Sequence, residues 1–302
     1  MTPQLRRGIA WLLVSELCYT VMRVAARAGA NDLPWAEFAA ARFFGGAIVA
    51  VVAARSRGIS LRVGDHKNAW LRSLFGTGGA VALFHALGTK HIGVGDATVL
   101  YATTPLWVAL LSGPMLRERV SAPVWGGIAV GFVGVAVLLQ AGIAWTNPTA
   151  LLVIAGAVSY AFALLRLRQL TGHETSEAIA LQMSLTAGVI LLAIAWPGIR
   201  PVRASAYVPL AAGSLAGGIG QLAVGRAYAQ APAARMSALT YSGVLFTYVT
   251  EAVMFRHAPG LAQSAGAVLV VLGGVLVSGL AARPAAAPPG AETGTEAPRA
   301  RP

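Results

Sequence analysis

The chain is poor in charge and almost free of cysteine. Charged residues make up 11% of its 302 residues, while 56% are hydrophobic; about a quarter of a typical soluble domain is charged. The single cysteine, Cys18, excludes an intramolecular disulfide and a thiolate metal cluster. We therefore expect a membrane protein without a metal or another cofactor.

Motifs for catalysis and for nucleotide binding are also missing. The chain has no His-Glu-x-x-His, no paired intramembrane aspartates and no serine–histidine arrangement, which disfavours an intramembrane enzyme. None of its glycine clusters ends in the Lys-Ser/Thr of a phosphate loop, and small residues at steps of four favour close packing of membrane helices instead. The net charge of +12 lies in short segments between apolar stretches, so it indicates membrane orientation rather than nucleic-acid binding.

Ten apolar stretches are long enough to cross a membrane, which requires about 20 residues each. The predicted spans are 8–28, 36–54, 70–90, 94–116, 123–143, 149–165, 178–196, 207–229, 232–255 and 259–281. Residues 282–302 contain almost nothing to bury, so we expect a disordered cytoplasmic tail there.

Lysine and arginine are distributed unevenly between alternate loops. With the N-terminus inside, the cytoplasmic loops and flanks hold fourteen: Arg6, Arg7, Arg55, Arg57, Arg62, Lys67, Arg72, Arg117, Arg119, Arg166, Arg168, Arg226, Arg235 and Arg283. The opposite side holds five: Arg27, Lys90, Arg200, Arg203 and Arg256. This bias predicts a multi-pass protein of the inner (plasma) membrane with both termini in the cytoplasm.

The two halves of the chain resemble each other at an offset of 139 residues. Gly127 and Gly134 correspond to Gly266 and Gly273, and Leu100 corresponds to Leu239. We therefore predict two five-span repeats, at 1–143 and 144–281. Since five is odd, the second repeat must cross the membrane in the opposite sense, and inverted repeats are typical of transporters.

The order of several short motifs resembles the EamA family of the drug/metabolite transporter superfamily over about residues 8–280. In the first half the resemblance rests on Ala86-Leu87, Gly95-Asp96-Ala97-Thr98, Pro105-Leu106, Leu116-Arg117-Glu118-Arg119-Val120 and the glycines from Gly127 to Gly134. In the second half it rests on Ala231-Pro232-Ala233, Tyr241, Phe255 to Pro259 and Gly266 to Gly274. The resemblance implies a central cavity lined by spans 1, 3, 4, 6, 8 and 9. The chain departs from the family where His257 replaces the acidic residue that corresponds to Glu118.

The first span carries a polar stripe made of Glu16, Thr20, Arg23 and Arg27, which the helical repeat places on one face. Ionisable groups inside the hydrocarbon cost about 2.5–3.5 kcal/mol and usually face a cavity or a partner. Glu16 could bind a proton or a cationic substrate, or form a structural ion pair with Arg23 or Arg42. Because Arg23 lies about 10 Å further along the helix axis, we expect its partner to be on another helix or to be an anionic substrate. Arg42 is expected to be structural.

Two further groups are candidates for substrate binding. In the ninth span, Tyr241, Tyr248 and Glu251 fall within about 80° on a helical wheel, and the tyrosines offer a ring and a hydroxyl to a substrate. In the fourth span, Tyr101 and Thr104 precede Pro105, which predicts a kink because proline frees a backbone carbonyl. Weaker candidates are His85, Tyr160, Gln182, Gln221 and Tyr228.

These features predict a secondary carrier that moves a small metabolite by alternating access. The expected partners are that small molecule, the lipid bilayer and, where transport is gradient-driven, protons. An amino acid, a nucleoside-like compound, a vitamin or a drug-like solute would each fit the candidate residues. A passive facilitator or exporter is the alternative.

Overall fold

The computed structural model describes residues 2–29, 32–89, 92, 94–140, 147–199, 201–255 and 260–279. Every regular element in this part of the chain is a helix, as predicted. The helices are α1 (Pro3–Gly29), α2 (Trp35–Ser56), α3 (His66–Thr89), α4 (Val94–Tyr101), α5 (Thr104–Leu116), α6 (Ala122–Leu139), α7 (Pro148–Leu170), α8 (Ser176–Ala195), α9 (Ala204–Gln230), α10 (Ala233–Ala238), α11 (Tyr241–Phe255) and α12 (Leu261–Gly279), with a 3-10 turn at Trp196–Gly198. The predicted tail, 282–302, lies outside the described residues.

Eight stretches of the described chain are long and apolar enough to cross a membrane. They correspond to all the predicted spans except the third and the ninth. The third, α3, begins with His66, Lys67 and Asn68 and carries Arg72 in its second turn, so its composition is more polar. The protein is therefore a multi-pass helical membrane protein, and the count of ten spans stays a prediction.

Local sequence explains where several helices begin. The Asn147 side chain accepts a hydrogen bond from Thr149 N at 2.9 Å, directly before Pro148 opens α7. Asp65, just before α3, accepts hydrogen bonds from the Asn68 side chain at 2.6 Å and from its backbone N–H at 3.1 Å. These hydrogen bonds hold the pKa of the Asp65 carboxyl below its usual value, because they favour the charged form.

Two predicted spans are each broken into two helices. The fourth ends as α4 at Tyr101 and resumes as α5 at Thr104, and the ninth is divided into α10 and α11. At the two breaks the Thr103 hydroxyl donates to Leu100 O and the Ser242 hydroxyl donates to Leu239 O, both at 2.7 Å. These two hydrogen bonds are 139 residues apart, so the same local arrangement occurs in both halves. Each helix ends there because hydroxyl side chains compete for the backbone carbonyls.

The kink expected at Pro105 falls slightly earlier in the chain. Pro105 lies in the first turn of α5, where a missing N–H leaves no helical hydrogen bond unmade. The second break contains no proline, so the hydroxyl-capped carbonyls are the feature common to both.

The glycines that carry the internal repeat lie between α6 and α12. A Cβ on Gly127 would meet Gly273 O at 2.9 Å, and a Cβ on Gly134 would meet Gly266 O at 2.9 Å. At the 139-residue offset, Gly127 is equivalent to Gly266 and Gly134 is equivalent to Gly273. The offset therefore converts one contact into the other, as two-fold symmetry between antiparallel helices requires.

Gly134→Ala is expected to lower the free energy of unfolding by about 1–3 kcal/mol, the usual penalty for overpacking. Its Cβ would lie 2.6 Å from Val270 N, and backbone on a packed helix moves little. Gly126→Ala in the same helix is the matched control, because its Cβ would meet nothing within 4 Å. Thermal unfolding in detergent measures both variants, and equal melting temperatures would contradict the packing described for α6 and α12.

Candidate functional site

The polar stripe of α1 faces α11 in the interior of the helix bundle. Arg23 Nη2 lies 3.4 Å from Glu16 Oε2, while Arg23 Nη1 donates to Gly243 O at 3.3 Å and to Thr247 Oγ1 at 3.2 Å. The hydroxyls of Thr20 and Thr247 are 3.4 Å apart. The structure therefore brings Glu16, Thr20 and Arg23 together, as the helical spacing predicted.

Arg23 has the partners on another helix that were expected, Gly243 and Thr247 of α11, and it also pairs with Glu16 on its own helix. Side chains on a helix point back towards its N-terminus, so the long arginine covers much of the axial distance that separates the two residues. The Glu16 residue is 4% exposed, whereas the Arg23 side chain is 41% exposed. The carboxylate is thus buried and its cationic partner is reachable from outside the protein.

Gly243 makes room for this ion pair. A Cβ at that position would overlap with Glu16 Oε2 and would lie 3.2 Å from Arg23 Nη1. The absence of a side chain at the start of α11 is therefore what allows the pair to form against it.

The tyrosine candidates fall into two separate places. Tyr101 stacks on Tyr160 of α7, with ring centroids 5.7 Å apart, and the Thr104 hydroxyl donates to Tyr101 O at 2.7 Å. Tyr241 instead packs against α6, where a Cβ on Gly131 would overlap with its ring. Tyr241 is therefore turned away from the Glu16–Arg23 pair, although the helical wheel had grouped it with Tyr248 and Glu251.

The other two candidates of the ninth span, Tyr248 and Glu251, have no observed hydrogen bond or ion pair with the Glu16–Arg23 pair in the part of the chain that the structure describes. Tyr248 is half-buried and makes no hydrogen bond to a described residue. The side chain of Glu251 lies outside the described part of the structure, so its proposed role stays a prediction.

Two arginines lie inside the bundle with little to neutralise them. Arg72 is 1% exposed, its Nη1 lies 3.4 Å from Met183 Sδ, and its Nε has no hydrogen-bond partner among the described residues. Arg42 is 8% exposed and its Nε lies 2.9 Å from Met22 Sδ. Its guanidinium carbon lies 4.0 Å from the ring centroid of Phe43.

Sequence reasoning placed Arg72 at the cytoplasmic flank and missed its burial. The signal was the glycine spacing along α3, since Gly76 and Gly79 follow Arg72 at steps of four and three. Small residues mark the face that packs closely, and a Cβ on Gly76 would overlap with Arg72 Nη1. A basic residue on that face enters the protein rather than the headgroup region.

A second polar group joins the two predicted repeats at the end of the bundle that holds the α5–α6 and α9–α10 connections. Glu118 Oε1 accepts from Arg168 Nε at 3.1 Å, and Glu118 Oε2 accepts from Ala233 N at 3.0 Å. Glu177 accepts from Arg57 at 3.1 Å and from Arg226 at 2.7 Å. Both carboxylates therefore hold segments from different halves together.

A groove of about 520 Å³ lies elsewhere, between α3, α7 and α8. Its lining is mainly apolar and includes Leu74, Val81, Leu152 and Ile190. Of the candidates named from the sequence, the weaker candidate His85 lines it, whereas Glu16, Arg23 and the tyrosines do not. Specific sites need a few convergent polar groups, so we assign the candidate site to the buried ionisable groups and tyrosines instead.

Comparison with known proteins agrees with this architecture. A model of the EamA-like transporter family matches residues 6–140 and 147–279. The pseudopaline exporter CntI of Pseudomonas aeruginosa is 23% identical over 277 residues, which cover 91% of this chain and 96% of that protein. A riboflavin transporter of Vibrio cholerae is 22% identical over 271 residues, which cover 88% and 91%.

The fold has also been observed in a solved structure. A crystal structure superposes with a TM-score of 0.79 at 22% identity, covering 91% of this chain and 99% of the other. Both halves match the family model, so the resemblance inferred from the motifs is confirmed: this chain belongs to the EamA-like transporter family.

Proposed function

We propose that this protein is a secondary transporter that carries a small metabolite across the inner membrane by alternating access. The observation that carries the proposal is the two-fold exchange of contacts between α6 and α12 under the 139-residue offset. The proposal includes an architecture of ten spans in two inverted repeats, 1–143 and 144–281, which this symmetry supports. If the halves exchange conformations, one central site opens to alternate sides of the membrane.

The polar group around Glu118 and Glu177 supports a state in which the two halves are closed against each other at one end of the bundle. Glu118 accepts two hydrogen bonds that cross between the halves, from Arg168 and Ala233 N. Glu177 accepts one that crosses, from Arg57, and a second from Arg226 within the second half. Charge-assisted hydrogen bonds are about twice as strong as neutral ones. Opening on that side would require these contacts to break.

Glu16 supports coupling to protons. Glu16, Arg23, Arg42 and Arg72 are called the central group below. Glu16 is its buried carboxylate, and its partner Arg23 is partly exposed. A carboxylate in this position can alternate between pairing with the arginine and holding a proton. Passive movement or export of the same solute is the alternative function, because Arg23 can also be a fixed structural partner.

Transport by the full chain in proteoliposomes tests this function. The vesicles are given a pH gradient and a mixed panel of metabolites, and their contents are measured by mass spectrometry. Enrichment above the outside concentration supports coupled transport, whereas equilibration alone supports a facilitator. Contents equal to those of protein-free vesicles would contradict both.

Both termini are proposed to lie in the cytoplasm. In a Cys18→Ser background, Gly198→Cys should react with an impermeant maleimide added to whole cells, and Ser60→Cys should not. Both positions are exposed, and a Cβ on Gly198 would meet nothing within 4 Å. The reverse labelling pattern would overturn the orientation.

A further inference from the structure

We propose that the transported metabolite carries an anionic group, a carboxylate or a phosphate, and that Arg42 and Arg72 bind it. This substrate class rests on the proposed transport function. It deepens that function by naming the chemistry that the centre of the bundle recognises.

The argument begins with the charges of this region. Among the described ionisable residues of the central group, Arg23, Arg42 and Arg72 are positive and Glu16 is negative. Glu16 is paired with Arg23, which leaves two positive charges. No described carboxylate lies within 4.0 Å of the guanidinium of Arg42 or Arg72.

Their present contacts are weak for buried cations. A guanidinium has five N–H donors, and a thioether sulfur is a poor acceptor. Arg72 contacts Met183 Sδ and keeps Nε without a partner, while Arg42 contacts Met22 Sδ, Tyr19 and Phe43. A buried charge is normally paired, so these two arginines lack the partner that a bound anion would supply.

The two arginines also lie against one buried cluster. The guanidinium of Arg42 lies over Phe43 and that of Arg72 contacts Met183, and Phe43 and Met183 belong to the same buried hydrophobic cluster. Neither arginine points into lipid, since Arg42 is 8% exposed and Arg72 is 1% exposed. A planar guanidinium matches carboxylate and phosphate oxygens in a bidentate manner, and the rings around it suit the apolar body of an organic anion.

A purely structural role for these arginines makes a different prediction. A structural arginine stabilises the empty protein, so its removal lowers the melting temperature. An arginine that waits for an anion leaves the empty protein with an uncompensated charge. Replacing such an arginine leaves the melting temperature unchanged or raises it, and the replacement weakens anion binding.

The test uses the full chain in lipid nanodiscs and measures melting temperature with matched probes. The carboxylate pairs are succinate with succinamide and benzoate with benzamide; the phosphate arm is phenyl phosphate with phenol, together with inorganic phosphate. We expect at least one anion to raise the melting temperature by about 3 °C at millimolar concentration, and its neutral counterpart to have no effect. The arm that responds identifies carboxylate or phosphate as the ligand.

Variants separate binding from stability. Arg72→Met and Arg42→Met should each lower the affinity for that anion at least about tenfold, as expected for losing a charge-assisted hydrogen bond. Neither variant should lower the melting temperature of the empty protein. Arg166→Met is the matched control: Arg166 donates to Asn68 and Gln169, so its loss should reduce stability and leave anion affinity unchanged.

Three results would overturn the proposal: equal stabilisation by acids and their neutral counterparts, no stabilisation by any anion, or Arg72→Met and Arg42→Met behaving like Arg166→Met. If anions bind but no solute crosses proteoliposome membranes, the anion-binding site at Arg42 and Arg72 stands and the transport function fails.

Discussion

Glu16→Gln should abolish accumulation driven by a pH gradient while substrate exchange across the membrane continues. The amide resembles a permanently protonated carboxyl, so it can bind where the acid binds but cannot release a proton. One coupled proton supplies about 1.4 kcal/mol per pH unit, which is tenfold accumulation. The expected accumulation ratio of the variant is therefore about one, measured in proteoliposomes with a one-unit gradient.

The structure also predicts that this variant folds. Its amide oxygen can still accept from Arg23, which keeps its hydrogen bonds to Gly243 O and Thr247 Oγ1. The partial exposure of Arg23 reduces the penalty for leaving it without a carboxylate. A loss of thermal stability together with a loss of exchange would identify a structural ion pair instead.

Asp32→Asn is the matched control for Glu16→Gln. It removes the carboxylate of an Asp32–Arg203 pair with a similar separation of 3.3 Å, located outside the central group and with the arginine 78% exposed. Accumulation by this variant should match the wild type. If Glu16→Gln accumulates substrate as well as the control does, Glu16 is not the coupling residue.

The positions of the helices were largely readable from the sequence because membrane spans must be long and apolar. The α1 stripe was readable too, since Glu16, Thr20 and Arg23 follow the helical repeat. A kink in the fourth span was readable from Pro105, but its position and the break in the ninth span were not. At both breaks a hydroxyl donates to the carbonyl, Leu100 O or Leu239 O, beside the backbone N–H of the same residue. Hydropathy does not distinguish a hydroxyl that breaks a helix from one that stays within it.

Side-chain direction was the other limit. Arg72 was read from its position near a predicted membrane boundary, but the close packing around Gly76 directs it into the bundle. Tyr241 shares a wheel sector with Tyr248, yet the break before α11 puts it against α6. A helical wheel assumes one straight helix with one interior face, and neither residue satisfies that assumption.

Glu118→Ala should shift the protein towards a state that is open to the cytoplasm. The change removes the acceptor for both Arg168 Nε and Ala233 N, the first residue of α10. Hydrogen bonds to charged groups contribute about 1.5–3 kcal/mol, so the ratio of cytoplasm-open to cytoplasm-closed protein should rise by roughly 10- to 100-fold. Glu118→Gln keeps one neutral acceptor and should give a smaller shift.

Side-specific alkylation of Thr247→Cys in the Cys18→Ser background measures this shift. Thr247 is half-buried and contacts Arg23, so its reactivity reports access to the central group. Alkylation should become faster in inside-out vesicles and slower in whole cells when Glu118 is replaced. Arg119→Gln, an exposed position in the same loop, should change neither rate. Faster alkylation from both sides would indicate local unfolding. Unchanged rates would show that Glu118 does not stabilise the state that is closed to the cytoplasm. Opposite changes on the two sides are expected only if the same central residues are reached alternately, because loosened packing alone cannot slow alkylation from outside.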